Sequence, residues 1–165
     1  MVGGGGVANR KARKLLQARA RVVVVSPDVR PDLASMAVEV RRRPYREGDL
    51  EGAFLAFAAT DRREVNAAVA REAQERGVPV NVADEPAEGD FALPSTLRRG
   101  QLQVAVSTGG ASPTLAARIR HELEGLFGAE WAGIVEELGR AREAGTKTGG
   151  EWEEVVEGCL SRLRG

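Results

Sequence analysis

The sequence is poor in the residues that build metal centres and disulfides. Its 165 residues include one cysteine, Cys159, and one histidine, His121. A single thiol excludes an intrachain disulfide and a cysteine metal cluster. One histidine with one distant cysteine makes no metal constellation, so no metal site is expected. Aromatic residues are also scarce, at 4%. The core must then be built from Val, Leu, Ala and Ile, as in a parallel sheet covered by helices. No apolar run approaches the ~18 residues of a membrane span. No secretory leader pattern is visible, and the expected compartment is the cytoplasm.

Charge is present but unevenly spread. Residues 1–43 carry ten Lys and Arg against three Asp and Glu, 44–120 carry nine against eleven, and 121–165 five against ten. A basic first third suggests an anionic ligand near it, or simply a solvated helix face.

Periodicity alternates between strand and helix. Ala8, Ala12, Leu15 and Leu16 lie on one face of a helix over about 7–20. RVVVVSP is a buried strand stopped by Pro27, and VEVRRRPY (38–45) alternates as a more exposed one. Asp49 opens a turn or short helix. AFLAFAATD (53–61) is a buried strand, 62–76 a helix stopped by Gly77, and VPVNVADEP (78–86) a further strand. FALPSTLRRG leads into LQVAVST, a pair able to form a hairpin. Ser112 and Pro113 read as the N-cap and first position of a helix to about Phe127. Residues 129–144 and 151–164 have helical spacing around the loop AGTKTGG. This order predicts an α/β fold, a Rossmann-like doubly wound parallel sheet. The expected division is a nucleotide domain over 1–90, a dimerisation and substrate-loop region over 91–127, and a helical region over 128–165.

Gly3-x-Gly5-x-x-Ala8 matches the dinucleotide turn G-x-G-x-x-G/A. The first glycine permits the turn, the second lets backbone approach a pyrophosphate, and the small third residue lets helix and strand pack closely. Such a turn follows a central strand of roughly 5–6 residues, yet only Met1 and Val2 precede it. The expectation is a strand largely missing from this chain, with Val2 its last residue and an upstream segment in the natural protein. The acid that should bind the ribose 2′-hydroxyl falls near the tip of the next strand. Ser26 occupies the tip, and Asp28 just beyond it either takes the ribose or only starts a turn; no basic residue sits at the tip, although Arg30 is close, which modestly favours NAD over NADP. Asp84 ends another buried strand, where open α/β sheets place ligands, though an Asp before Glu85-Pro86 also starts turns. Thr60 and Asp61 end a third strand, and Asp61 is equally suited to cap the following helix. Asn66 and Asn81 are polar residues in apolar surroundings, expected to hydrogen-bond backbone near the cofactor.

VGGGGVANRKARKLL, VVVVSPD, AFAATDRREVNAAVA and VNVADEPAEGDFALPSTLRRGQLQVAVSTGGASPTLAARIRHELE together resemble the precorrin-2 dehydrogenase/sirohydrochlorin ferrochelatase family, the N-terminal half of siroheme synthases. The likeness covers about residues 2–127. It rests on the combined GGGxVAxRK turn, AATD and N-V-x-D strand ends, and S-x-GG-x-SP before a helix. The resemblance implies a homodimer that oxidises precorrin-2 to sirohydrochlorin with NAD, and in some members inserts ferrous iron. It implies catalysis by Asp84, beside the cofactor contacts expected from the glycine turn, the strand ends and the buried asparagine: Gly3, Gly5, Gly6, Val7, Ala8, Ser26, Asp28, Thr60, Asp61 and Asn81. Ser107, Gly109, Gly110, Ser112 and Arg118 are the expected contacts to substrate carboxylates, with Ser112 also matching a serine phosphorylated in some members. A module that senses NAD(H) without turnover is the alternative from another class. It would be expected to carry a DNA-reading or channel-coupling segment, and none is visible.

Overall fold

The buried apolar runs of the first half pair as parallel strands. The computed structural model describes residues 1–37, 39–145 and 150–164. Residues 146–149 of the AGTKTGG loop, and Val38 at the start of the expected second strand, lie outside them. Two compact units are present, Met1–Leu93 and Pro94–Gly165.

In the first unit, β1 (Val23–Val25) runs parallel to β2 (Glu39–Arg41), with Val25 opposite Arg41. β3 (Ala56–Ala58) runs parallel to β4 (Val80–Val82), with Ala58 opposite Val82. Val2 joins the two pairs by parallel bridges to Val25 and Ala58. Its N–H donates to the Phe57 carbonyl and its carbonyl accepts from Ala59, both at 2.8 Å. On the other side the Met1 carbonyl accepts from Val25, and the Gly3 N–H donates to the Val25 carbonyl, both at 2.9 Å. The lateral order is therefore β2, β1, the Met1–Gly3 segment, β3, β4. The short segment before the glycines holds the central slot through hydrogen bonds to both neighbours.

Helices cover both faces. α1 (Gly6–Gln17) and α2 (Pro31–Ala34) pack through Ala8, Ala12 and Leu33 with Val22, Val24 and Ala59. α3 (Arg63–Arg76) packs through Val69, Ala70 and Ala73 with Val2, Ala56, Ala58, Val80 and Val82. Ala56 and Ala58 share one face of β3 because side chains alternate along a strand. Phe57 takes the other, edge-on to Phe91 at 5.5 Å and beneath the Lys11 ammonium of α1. Each fully buried valine contributes about 1.5–3 kcal/mol. Gly77 ends α3 in the left-handed conformation, φ +65°, which costs glycine no Cβ clash.

Two buried carboxylates pin the loop between β2 and β3. Glu72 of α3 is 3% exposed. It accepts hydrogen bonds from the Tyr45 hydroxyl, the N–H groups of Gly48 (3.0 Å) and Leu50 (3.4 Å), and Arg76 (2.7 Å). Burial raises its pKa, but these donors outweigh that and leave it below the usual carboxylate value. Burial, then the Glu72 charge, pushes the Tyr45 phenol up. Asp49 binds Arg43 through both oxygens (2.6 and 2.7 Å), Arg41 at 3.3 Å and the Arg46 N–H at 2.9 Å. The Arg43 hydrogen bonds are the main reason its pKa falls to about 2.

In the second unit, β5 (Ser95–Arg99) and β6 (Leu102–Val106) form an antiparallel hairpin. Gly100 takes φ +57° in its turn, as tight hairpin turns require. α4 (Pro113–Leu126), α5 (Trp131–Glu143) and α6 (Gly150–Arg164) follow. Ser112 caps α4 by accepting from the Leu115 N–H at 3.2 Å, with Pro113 at the first helical position. Arg162 bonds Glu137 at 2.8 Å and ties α6 to α5.

Removing either buried carboxylate should loosen the 43–50 loop. Glu72→Ala should lower unfolding free energy by about 3 kcal/mol, because four donors lose a buried acceptor. Asp49→Asn should cost about 1–2 kcal/mol near neutral pH. Both carboxyl pKa values are depressed by folding, so their stabilisation is complete above about pH 4.5 and drains as pH falls through the folded values. Urea melts of both variants and the parent at pH 7 and pH 3 should show the differences shrinking in acid.

Candidate functional site

The carboxyl ends of the parallel strands open onto a cleft of about 910 Å³ within the first unit. Its floor is the glycine turn. Gly3 has φ +118°, and a Cβ there would overlap the Ala59 carbonyl oxygen. A Cβ on Gly4 would overlap the Asp28 carbonyl oxygen and lie 2.8 Å from Val29 Cα. The Gly4 carbonyl also accepts the Arg30 N–H at 3.0 Å. The turn is thus wedged between the chain leaving β3 and the chain leaving β1. A Cβ on Gly5 would meet nothing within 4 Å. Gly5 is the N-cap of α1, and that helix has no side-chain cap and no acid in its first turn. Its first N–H groups and positive dipole end are available to an anion. A dinucleotide pyrophosphate fits this cradle, with Gly5, Gly6 and Val7 along it. Ala8 lies behind, fully buried, where its small size lets α1 sit close to the sheet.

Asp84 follows β4 on the same cleft. Its side chain is 35% exposed, and Oδ1 accepts from Asn66 Nδ2 at 2.8 Å. Asn66 is fully buried on α3 and uses every polar atom. Its Oδ1 accepts from the Thr60 N–H (3.1 Å) and hydroxyl (2.7 Å), and its Nδ2 also donates to the Thr60 carbonyl at 3.1 Å. One amide therefore joins the end of β3 to the carboxylate after β4. Arg63 lies 3.9 Å from Asp84 Oδ2 and pairs more closely with Glu88. Asp61 lines the cleft, exposed, and does not cap α3, whose N-cap is Arg62 with no side-chain hydrogen bond. Ser26 is 9% exposed and donates its hydroxyl to the Asp28 carbonyl at 2.8 Å, while the Asp28 side chain is exposed.

Gly3, Gly5, Gly6, Val7, Ser26, Asp28, Thr60, Asp61 and Asp84 all line this one cleft. Asn81 does not. Alternation along β4 turns it under the sheet, where Oδ1 accepts from Lys11 Nζ at 2.5 Å and Nδ2 donates to the Phe91 carbonyl at 2.7 Å. It bonds backbone, as expected, but lies away from the cleft that the other expected cofactor contacts line. Burial, then Lys14 and Arg10, lowers the Lys11 pKa. Gly4 is unmarked by the motif, whose template treats that position as free. Tyr45 and Arg42 also line the cleft, from the far side of β1. Only the run Arg41-Arg42-Arg43 marked the latter.

The residues expected to meet substrate carboxylates lie in the second unit. Gly109 (φ +62°) and Gly110 (φ +89°) form the turn before α4, and Ser107 Oγ accepts the Gly109 N–H at 3.2 Å. Ser112 is engaged as the α4 cap, and Arg118 pairs with Glu122 at 2.8 Å on the exposed helix surface. His121 is likewise exposed, 3.0 Å from Glu124.

The model of the NAD(P)-binding family matches residues 1–95, and that of the sirohaem biosynthesis protein central domain matches residues 99–126. A siroheme synthase of Methylobacillus flagellatus is 42% identical over 171 residues, covering 97% of this chain and 37% of that protein. Siroheme synthase 1 of Aeromonas salmonicida is 46% identical over 131 residues, covering 77% of this chain and 28% of that protein. The chain thus spans about a third of the length of these relatives. The solved structure of SirC, precorrin-2 dehydrogenase, superposes with a TM-score of 0.76 at 28% identity, over 94% of this chain and 80% of that one. Among the described residues, no helix is long and apolar enough to cross a membrane.

Neighbouring glycines of the turn should respond oppositely to a methyl group. Gly4→Ala forces a Cβ into backbone and should destabilise the fold by about 3 kcal/mol. Gly5→Ala, at an ordinary φ of −85° with open space beyond, should stay within about 0.5 kcal/mol of the parent. Equal losses in denaturant melts would contradict the wedged geometry of Gly4.

Proposed function

Because the chain belongs to the NAD(P)-binding family, we propose that it is the NAD-dependent dehydrogenase that oxidises precorrin-2 to sirohydrochlorin in siroheme biosynthesis. The observation that carries this reading is Asp84, a carboxylate fixed by Asn66 on the same cleft as an uncapped, glycine-lined helix N-terminus. The relatives named above support the substrate.

The oxidation removes a hydride and a proton from the tetrapyrrole. NAD, when bound, accepts the hydride. The chain's own residues do the rest. The Gly3–Val7 turn and the α1 N-terminus hold the pyrophosphate. Asp28 accepts a hydrogen bond from the adenosine ribose. Asp84 takes the proton that leaves with the hydride, and Asn66 keeps its carboxylate aimed. Thr60 and Asp61, just after β3, line the same cleft. In the second unit, Ser107, Gly109, Gly110, Ser112 and Arg118 receive substrate carboxylates. Leu115 (51% exposed), Ile119 (38%) and Leu126 (69%) form an apolar stripe along α4, which supports a homodimer. The setting in this reading is the cytoplasm.

The test is an anaerobic assay of NADH formation from precorrin-2 and NAD. The parent chain should turn over, and Asp84→Asn should lower kcat/KM by about 100-fold or more while binding NAD as the parent does. NAD binding without turnover by the parent would favour a sensing module and sink the dehydrogenase.

A further inference from the structure

Three arginines line the dinucleotide cleft, and two are already paired. Arg30 binds Asp32 at 3.1 Å, and Arg62 binds Glu64 at 2.6 Å. Arg42 has neither a hydrogen bond nor an ion pair among the described residues. Its neighbours explain why it is free. Arg41 is held by Glu39 at 2.6 Å and Asp49 at 3.3 Å, and Arg43 by Asp49 at 2.6 Å. The two acids offset the outer arginines and fix the backbone on both sides of residue 42. The middle charge is left uncompensated on the cleft wall.

The location of that charge is set by the sheet. The Ser26 N–H donates to the Arg41 carbonyl at 3.1 Å, so Arg42 leaves β2 directly beside the tip of β1. That tip is where a dinucleotide fold reads the 2′ position of the adenosine ribose. An acid there takes the 2′-hydroxyl of NAD, and a nearby arginine takes the 2′-phosphate of NADP. The residue at this tip is a serine. The nearest acid, Asp28, lies two residues further on with an exposed side chain, where water and salt screen its repulsion.

We infer that Arg42 is a specificity-determining residue that receives a 2′-phosphate, so that the cleft accepts NADP as well as NAD. The inference rests on the dinucleotide reading of the cleft and extends it. A guanidinium on a phosphate forms paired, charge-assisted hydrogen bonds. The 2′-hydroxyl of NAD offers no such partner, so Arg42 should contribute little to NAD affinity.

Calorimetric titration of the 165-residue chain with NAD and with NADP tests this without turnover. The parent should bind both, with dissociation constants within about tenfold of each other. Arg42→Ala should weaken NADP by about 30-fold and NAD by less than about threefold. Arg42→Lys should keep a charge without the paired geometry and fall between. Raising the salt should weaken NADP more than NAD in the parent, and equally in Arg42→Ala. An exposed, unpaired side chain leaves the fold intact when removed, and a thermal melt verifies it. NAD binding with no NADP binding by the parent overturns this inference alone. Equal weakening of both dinucleotides by Arg42→Ala also overturns it, since the arginine would then serve adenine or pyrophosphate. Failure to bind either dinucleotide overturns both this inference and the NAD reading.

Discussion

No side chain fits between the backbone of Gly3 and Gly4 and the carbonyl groups of Ala59 and Asp28. That close approach sets the rest of the first unit. It lets the chain leave the central sheet position, turn, and enter α1 between the ends of β3 and β1. It leaves the helix without a side-chain cap, so the donors at its first turn face the cleft. The same approach brings the chain beyond β1 and the chain beyond β3 to one opening, lined by the helix N-terminus and by Asp28, Asp61 and Asp84.

The cleft has a second wall, and it is built by charge rather than by apolar packing. Between β2 and β3 the chain has few core residues, and Leu50 is the main one. Glu72 gathers the Tyr45 hydroxyl and two backbone N–H groups from beneath, and Asp49 gathers Arg41 and Arg43. Burying a carboxylate is costly unless hydrogen bonds surround it, and here each oxygen is met. The loop therefore has a definite shape without regular structure, and it presents Tyr45 and Arg42 to the cleft.

Much of this architecture was legible from local pattern. The β-branched run at 22–25, the apolar ends of AFLAFAAT and VPVNV, and the stop at Gly77 gave strands and helices in the observed order. Ser112-Pro113 marked a helix start because capping depends on residues adjacent in sequence. The glycine turn was legible because its steric needs recur in every such fold. Asn81 was not, since a polar residue inside a strand can face a ligand or bridge two elements, and only the position of Lys11, 70 residues away, decides. Asp61 was likewise open to two roles until the helix began one residue later than expected, with Arg62 at the cap.

The sequence by itself determined the period of each element, the presence of a glycine turn before α1, and the placement of acids at strand ends. Those are short-range properties, fixed by φ/ψ limits, side-chain alternation and the hydrophobic effect acting over a few residues. The tertiary structure decided which of the candidates share one opening. It set Asn66 as the link between Thr60 and Asp84, gave Val2 hydrogen bonds on both sides, and left Arg42 unpaired between two neutralised arginines. The bonds of Val2 to β3 and of Asn66 to Asp84 join residues far apart in the chain, and the ion pairs beside Arg42 depend on how the loop after β2 closes. Such pairings depend on the register in which the strands and helices pack, which no local pattern contains.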